Sequence, residues 1–429
     1  MSKPTTVTET KTPSANQIEN KRVPELRFGE FDGHFKFHLF EDVFIFSTGK
    51  NIKQKEAAPE FEIPCVRYGE LYHMYGEVID DVINKTNLDK TELLFSNGDE
   101  ILLPSAGEDP LDIGSASALT LKNIAIGRTI NILRPQQENI YSQIFVSYYI
   151  NEKLRKKIST LARGASISNV YNSDLKKLKI NLPSLPEQQK IATFLSSVDK
   201  KIQQLTKKKA VLEDYKKGVM QQLFSGQLRF KDKDGNAYPD WEEKRLGAIC
   251  EMTSSKRVYL SDYVQEGIPF YRGKEISALR LNKNPIDILY ISEERYNEYK
   301  SKYGVPEEND ILVTAVGTLG NILRIRNNEP FYFKDGNLIW FRKIKESSSF
   351  VEILLQWNTR ELLKTSIGST QKALTMVELR KLKFDFPSLQ EQQKIATYLS
   401  SIDKKIDAVT NKITQTQTFK KGLLQQMFV

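Results

Sequence analysis

The side chains of this chain that could do chemistry are of two kinds, and the catalytic kind does not assemble. Pro239-Asp240-Trp241-Glu242-Glu243-Lys244 has the residue types of a metal-dependent nuclease. Its carboxylates are too close together to come from separate strands, and the corresponding stretch nearer the N-terminus, Gly33-His34-Phe35-Lys36-Phe37-His38, lacks them. His34 and His38 stand one helical turn apart, but no further paired ligands accompany them and Cys65 is remote, so no metal set is expected. His73 reads as an ordinary surface or core residue. There is no G-x-x-x-x-G-K-[ST] phosphate loop, no G-x-G-x-x-G after a strand, and no Asn-Pro-Pro or Asp-Pro-Pro of the kind that holds a flipped base. A nucleotide-driven motor, a dinucleotide enzyme and an amino-methyltransferase are therefore not expected in this chain.

The second kind is basic and amide side chains in loops. Arginine and lysine suit guanine edges, asparagine and glutamine suit adenine, and lysine suits phosphate. The candidates in the first half are Lys50, Asn51, Lys53, Arg67, Arg163, Ser166 and Asn169. Those in the second half are Ser255, Lys256, Arg257, Arg272, Lys274, Thr318, Gln371 and Lys372. A net charge of +9, from 63 Lys and Arg against 54 Asp and Glu, fits a nucleic-acid partner. For Arg67 and Arg272, a structural salt bridge and a DNA contact both stay open.

These loops are carried by a duplicated scaffold. Pro183-Ser184-Leu185-Pro186-Glu187-Gln188-Gln189-Lys190-Ile191-Ala192-Thr193-Phe194-Leu195 returns as Pro387-Ser388-Leu389-Gln390-Glu391-Gln392-Gln393-Lys394-Ile395-Ala396-Thr397-Tyr398-Leu399, and the register holds to the chain end. Such a repeat governs the reading of everything else. Each copy predicts a helix of roughly 40 residues, about 60 Å long. Ser184-x-x-Glu187 and Ser388-x-x-Glu391 fit a capping box. Ile191, Leu195, Val198, Ile202, Leu205, Leu212, Val219 and Leu223 form a heptad-like seam, repeated from Ile395 to Met427. Lys209 and Lys216 interrupt the first seam, and Thr416 and Lys420 the second. Neither helix is stable alone in water, so the two are expected to bury each other as an antiparallel pair.

The repeat extends upstream. Leu26-Arg27-Phe28 matches Leu228-Arg229-Phe230, Ile63-Pro64-x-x-Arg67-x-x-Glu70 matches Ile268-Pro269-x-x-Arg272-x-x-Glu275, and Gly107 falls against Gly317. Short β-rich runs such as Ile101-Leu102-Leu103 and Ile311-Leu312-Val313-Thr314 lie between, punctuated by Gly, Pro and Asn. The fold class expected is α+β, with two similar domains in a pseudo-twofold arrangement, joined by two long antiparallel helices as a coiled-coil connector. The expected boundaries are a disordered tail over 1–23, a first domain over 24–182, a central helix over 183–226, a second domain over 227–386 and a C-terminal helix over 387–429. No apolar run is long enough for a membrane span, and the N-terminal stretch lacks the apolar core of a signal peptide. Two cysteines in separate halves imply no disulfide framework and a reducing compartment, expected to be the cytoplasm.

The duplicated Pro-Ser-Leu-x-Glu-Gln-Gln-Lys-Ile-Ala start, followed by Asp-Lys-Lys-Ile at Asp199–Ile202 and Asp403–Ile406, closely resembles the specificity subunits of type I restriction–modification systems. Gly267-Ile268-Pro269-Phe270-Tyr271-Arg272-Gly273-Lys274 and Asn309-Asp310-Ile311-Leu312 add to the resemblance, which covers nearly the whole chain. Half one departs from it where Cys65-Val66-Arg67-Tyr68 stands. The resemblance implies a non-catalytic chain that gives a restriction endonuclease and adenine methyltransferase its DNA specificity. It implies two target-recognition domains, each reading one part of an asymmetric bipartite duplex site. It further implies two methyltransferase subunits docked on the repeats, with Gln188, Gln189, Lys190, Gln392, Gln393 and Lys394 as the repeated contacts, and restriction/translocase subunits joining them. No cofactor is expected in this chain; S-adenosylmethionine, ATP and Mg²⁺ are expected in the partners. A specificity subunit of a methylation-only or type II-like system and a coiled-coil adaptor that binds no DNA remain as alternatives.

Overall fold

The computed structural model describes residues 23–368 and 372–429. The expected tail over 1–23 therefore lies, except for Val23, outside the described residues. The chain divides into two compact units, one formed by the segment up to Lys207 with Val409–Val429, the other by Lys208–Ala408.

Each unit is built on the same plan. In the first, Lys36–Leu39 pairs antiparallel with Lys179–Leu182, bringing the entry and exit of the domain together. Beyond this clasp, Phe44–Thr48, Ile130–Pro135, Glu100–Pro104, Ser117–Leu119 and Val78–Ile79 form one sheet in that order. A second sheet runs Lys85–Thr86, Ile63–Val66, Lys122–Ile126, Phe95–Asn97. In the second unit the clasp is Glu242–Arg245 with Lys383–Phe386. One sheet runs Glu251–Thr253, Leu338–Arg342, Ile311–Thr314, Ile322–Arg324, and another runs Tyr263–Val264, Leu289–Ile291, Ile268–Tyr271, Tyr332–Phe333. Glu100–Pro104 is buried at every position, as is Ile311–Thr314, which explains why these central strands read as unbroken apolar runs.

The nuclease-like stretch is part of the second clasp. Glu243 faces Lys383 at 2.6 Å, and Lys244 reaches Glu346 at 2.9 Å. Glu243 with Lys383 is thus a cross-strand ion pair on a short ladder, and Lys244 ties that ladder to the segment before helix Ser348–Trp357. Cys65 and Cys250 are both buried and free, and burial pushes each thiol up to about 12.

The long helices span Leu185–Phe224 and Leu389–Met427. In the first unit, Ile191, Leu195 and Val198 at the start of one share a core with Leu423 and Met427 at the end of the other. In the second unit, Val219 and Leu223 share a core with Ile395, Leu399 and Ile402. The pair is thus antiparallel in both. Leu212 and Ile413 are only half-buried, whereas Leu205 and Val409 near the helix middles are buried. Two of the seam's charged interruptions are satisfied by matching acids. Lys216 bonds Asp403 at 2.7 Å, and its repeat Lys420 bonds Asp199 at 2.7 Å and Glu77 at 3.0 Å. Burial pulls the Lys420 ammonium down, but Glu77 and Asp199 outweigh it and hold the group above the ordinary lysine range.

The expected capping boxes are corrected. Ser388 Oγ accepts from the Glu391 amide at 3.4 Å, the serine half of a box. The glutamates turn elsewhere. Glu187, 1% exposed, takes two hydrogen bonds of 2.7 Å from Arg27, and Glu391, 0% exposed, takes bonds of 2.8 and 2.9 Å from Arg229. The hydrogen bonds to these carboxylates hold both guanidiniums above the ordinary arginine range. A Ser-x-x-Glu spacing carries no information about a partner so far away in sequence.

Removing either arginine leaves a buried carboxylate alone, which costs about 3–5 kcal/mol. Arg27→Ala should lower the melting of the first unit and Arg229→Ala that of the second. Calorimetry of the two variants checks this; an unchanged transition in either would show that the pair constrains nothing.

Candidate nucleic-acid interface

The loop candidates gather at one edge of each unit. In the first unit, Lys50, Asn51 and Lys53 follow strand Phe44–Thr48. The Lys50 amide donates to Ile126 O at 3.0 Å, and the Arg128 amide donates to Asn51 O at 2.9 Å. Gly127 N donates to Val66 O at 2.8 Å, which places Arg67 beside the same loop. Ser105 N donates to Thr129 O, and Val170 N to Ser105 O, each at 2.9 Å. Arg163 and Asn169 exchange main-chain bonds of 3.0 and 2.8 Å across a turn that carries the exposed Ser166 at its tip.

The second unit repeats these links. Lys334 N donates to Tyr271 O at 2.9 Å, beside Arg272 and Lys274. Ala315 N donates to Asn337 O at 2.8 Å, and Leu374 N to Ala315 O at 2.9 Å. Ile367 and Ala373 exchange bonds of 2.9 and 2.8 Å, and Lys372 adjoins them. Thr318 sits exposed on the turn that follows Ala315, and its carbonyl accepts from Thr314 Oγ1 at 2.5 Å. Ser255 Oγ donates to Phe333 O at 2.6 Å, and the Lys256 amide donates to Tyr332 Oη at 2.8 Å. Gln371 lies outside the described residues.

Several candidates are engaged within their own domain. Arg67 Nε meets Glu70 Oε1 at 2.7 Å, and Arg272 Nη2 meets Glu275 Oε1 at 2.6 Å, so the repeat of these arginines is explained by a repeated ion pair. Arg163 pairs with Asp174 at 3.0 Å and Arg257 with Asp335 at 3.0 Å, both on exposed guanidiniums. Lys50, Lys53, Lys256 and Lys372 are exposed. Sequence reading missed the two loops between the sheets, Gly127–Thr129 and Lys334–Asn337, because they differ between the halves and left no repeat to find. The first unit's edge is also strained. Asn51 and Ile52 both have positive φ, 46° and 53°, as does Thr129 at 66°. A β-branched residue there is a true outlier. Ile52 is held by burying its side chain among Cys65, Leu93 and Ala125.

The expected partner contacts need correction. Gln188 and Gln392 are buried, 1% and 0% exposed. Gln188 Oε1 accepts from Ser142 N and Gln392 Oε1 from Ser347 N, each at 2.9 Å, while their amides donate to Pro183 O and Pro387 O. They fasten the long helices to the starts of helices Gln143–Tyr149 and Ser348–Trp357 and are not free for a partner. Lys190 pairs with Glu30, and Lys394 donates to Lys231 O at 2.6 Å, so both also bind their own domain's entry segment. Gln189 and Gln393 remain exposed. They line matching grooves with Ala192, Thr193 and Ser196 in one unit and Ala396, Thr397 and Ser400 in the other.

Among the described residues, no cluster of three His, Cys, Asp or Glu could hold a metal ion, and no helix is long and apolar enough to cross a membrane.

The two units are two copies of one scaffold, each with exposed lysines in different loops at its edge. The family model for the type I restriction modification DNA specificity domain matches residues 35–214 and again 238–417. The chain belongs to that family and carries its domain twice. It is the DNA sequence-specificity subunit of a type I restriction–modification system and not itself an enzyme. It is 24% identical over 393 residues to the StySPI specificity subunit of Salmonella potsdam, covering 85% of this chain and 81% of that one. It is 25% identical over 345 residues to the MjaVIII specificity subunit of Methanocaldococcus jannaschii, covering 78% and 79%. In structure it resembles the S subunit of a type I system from M. genitalium, with a TM-score of 0.61 and 19% identity over 95% of this chain and 99% of that one.

Gly49 tests the packing of the first unit's edge. A Cβ there would lie 1.9 Å from Gly127 O. Gly49→Ala must push the two loops apart, at a cost of about 1–3 kcal/mol for an overpacked site. Amide exchange at Lys50 and Arg128 should accelerate while the long helices stay protected. Unchanged exchange at both amides would show that the loops are not locked together.

Proposed function

We propose that each unit reads one part of an asymmetric bipartite duplex target, with recognition domains over 24–182 and 227–386. The observation that carries this reading is the matched set of main-chain links that gathers different loops at the same edge of both units. Exposed lysines at those edges suit phosphate, and the differing loop residues suit different base pairs. We propose further that two methyltransferase subunits dock on the repeated grooves, and that restriction/translocase subunits join the assembly. S-adenosylmethionine, ATP and Mg²⁺ then belong to those partners, and the complex works on DNA in the cytoplasm.

The grooves support two partner copies because Gln189, Thr193 and Ser196 recur as Gln393, Thr397 and Ser400. Native mass spectrometry should find two methyltransferase chains per specificity chain. Thr193→Trp or Thr397→Trp, each at an exposed groove position, should reduce that to one, and the double variant to none. A saturated wild-type complex with one partner would overturn the stoichiometry.

Exchange of residues 246–382 for the matching segment of a relative tests the recognition reading. The clasp and the long helices stay in place, so methylome sequencing should show one part of the site changed and the other part and the spacing kept. A change in both parts would mean that base readout is shared between the units.

A further inference from the structure

Among the described residues, five of the six arginines in the first unit are paired with carboxylates, from Arg27 with Glu187 to Arg163 with Asp174. Arg128 is the exception. It is exposed and makes no side-chain ion pair or hydrogen bond among the described residues. Its backbone, by contrast, is held from all sides. The Arg128 amide is bonded to Asn51 O, Gly127 N to Val66 O, Thr129 O accepts from Ser105 N, and Ile126 O accepts from Lys50 N, all within 3.0 Å. Neighbouring Asn51, Ile52 and Thr129 occupy the left-handed region. Strain of this kind persists only where the surroundings over-determine it.

A free guanidinium on a fixed backbone is arranged for an external bidentate acceptor. Guanine offers one in the major groove through O6 and N7, and a phosphate offers another. Exposed Lys50 and Lys53 on the adjoining loop already supply point charges for phosphate. We infer that Arg128 is the base-reading residue of the first unit and selects a guanine in its part of the target. The inference rests on the recognition reading above and assigns its specificity to one side chain. The second unit differs at this place. Lys334 holds the position of Gly127, since both amides donate to the end of the neighbouring parallel strand. The next residue is Asp335, whose carboxylate is bonded to Arg257 at 3.0 Å. A guanine read in this way is therefore expected in one part of the target and not through the matching position of the other.

The test is methylome sequencing of cells carrying the complete system with wild-type chain, Arg128→Ala or Arg128→Lys. Both variants should relax one guanine position in one part of the site, with discrimination there falling roughly tenfold or more. The other part and the spacing should be unchanged. Lysine should not restore the position, because an ammonium lacks the planar fork. The side chain supports nothing in the fold, so both variants should melt as the wild type does. An unchanged motif overturns the assignment, whether methylation stays at its full level or falls evenly and is rescued by lysine, as a phosphate contact predicts. Lowered melting overturns it as well. Absence of sequence-specific methylation with the wild-type chain would instead sink the recognition reading and this assignment together.

Discussion

The buried ion pair between an arginine of the entry segment and the first-turn glutamate of the long helix is the constraint on which each unit depends. Arg27 also donates to the carbonyls of Asp32 and Gly33, and Arg229 to those of Tyr238 and Pro239. One guanidinium thus fastens the chain entering the domain to the helix leaving it. Burying the glutamate is costly, and the pair need not exceed a hydrophobic substitute in net stability. Its effect is geometric. With the carboxylate buried, helix start and entry segment have one arrangement in which the charge is satisfied. The clasp of Lys36–Leu39 with Lys179–Leu182 then has its two strands delivered side by side.

The other inward polar side chains of the repeat act in the same way. Gln188 bridges the start of helix Gln143–Tyr149 and the Pro183 carbonyl, and Gln392 the start of helix Ser348–Trp357 and the Pro387 carbonyl. Lys420 with Asp199 and Lys216 with Asp403 fix the axial register of the helix pair within their units, since a shifted seam would strand an ammonium among apolar side chains. A repeat kept nearly identical over the helix starts is what such constraints require, because each polar group has a partner defined to within a hydrogen bond.

Much of this architecture was legible in the sequence. The repeat gave the two units, heptad spacing gave the helices and their seam, and apolar runs located the central strands. What was hidden had distant partners. The Leu-Arg-Phe repeat was visible, but its arginine could be joined to Glu187 only by seeing the fold. Gln188 and Gln392 looked like surface residues because helical periodicity cannot tell a buried amide with two partners from an exposed one. At the loop edge, spacing pointed to the basic loops that flank repeated positions. It passed over Arg128, whose loop has no counterpart of like sequence, although its unpaired state is the feature that distinguishes it. The strained Asn51–Ile52 pair had no signal either, since neither residue type announces a left-handed backbone as glycine would.

The units can present different chemistry on one scaffold because the edges are held by main chain. Gly127 and Lys334 make the same amide bond with different side chains, as do Ser105 and Ala315, Val170 and Leu374, and the turns closed by Arg163 with Asn169 and by Ile367 with Ala373. A peptide amide is supplied by every residue except proline, so these links place almost no demand on residue type. Side chains at the edge are then free to change charge, as Arg128 and Asp335 illustrate, while the backbone beneath them stays where it is. The clasp and the helix starts behave in the opposite way, since their links run through named side chains and tolerate little exchange. This division between side-chain constraints in the scaffold and main-chain constraints at the edge is the physical condition for a specificity that diverges without refolding.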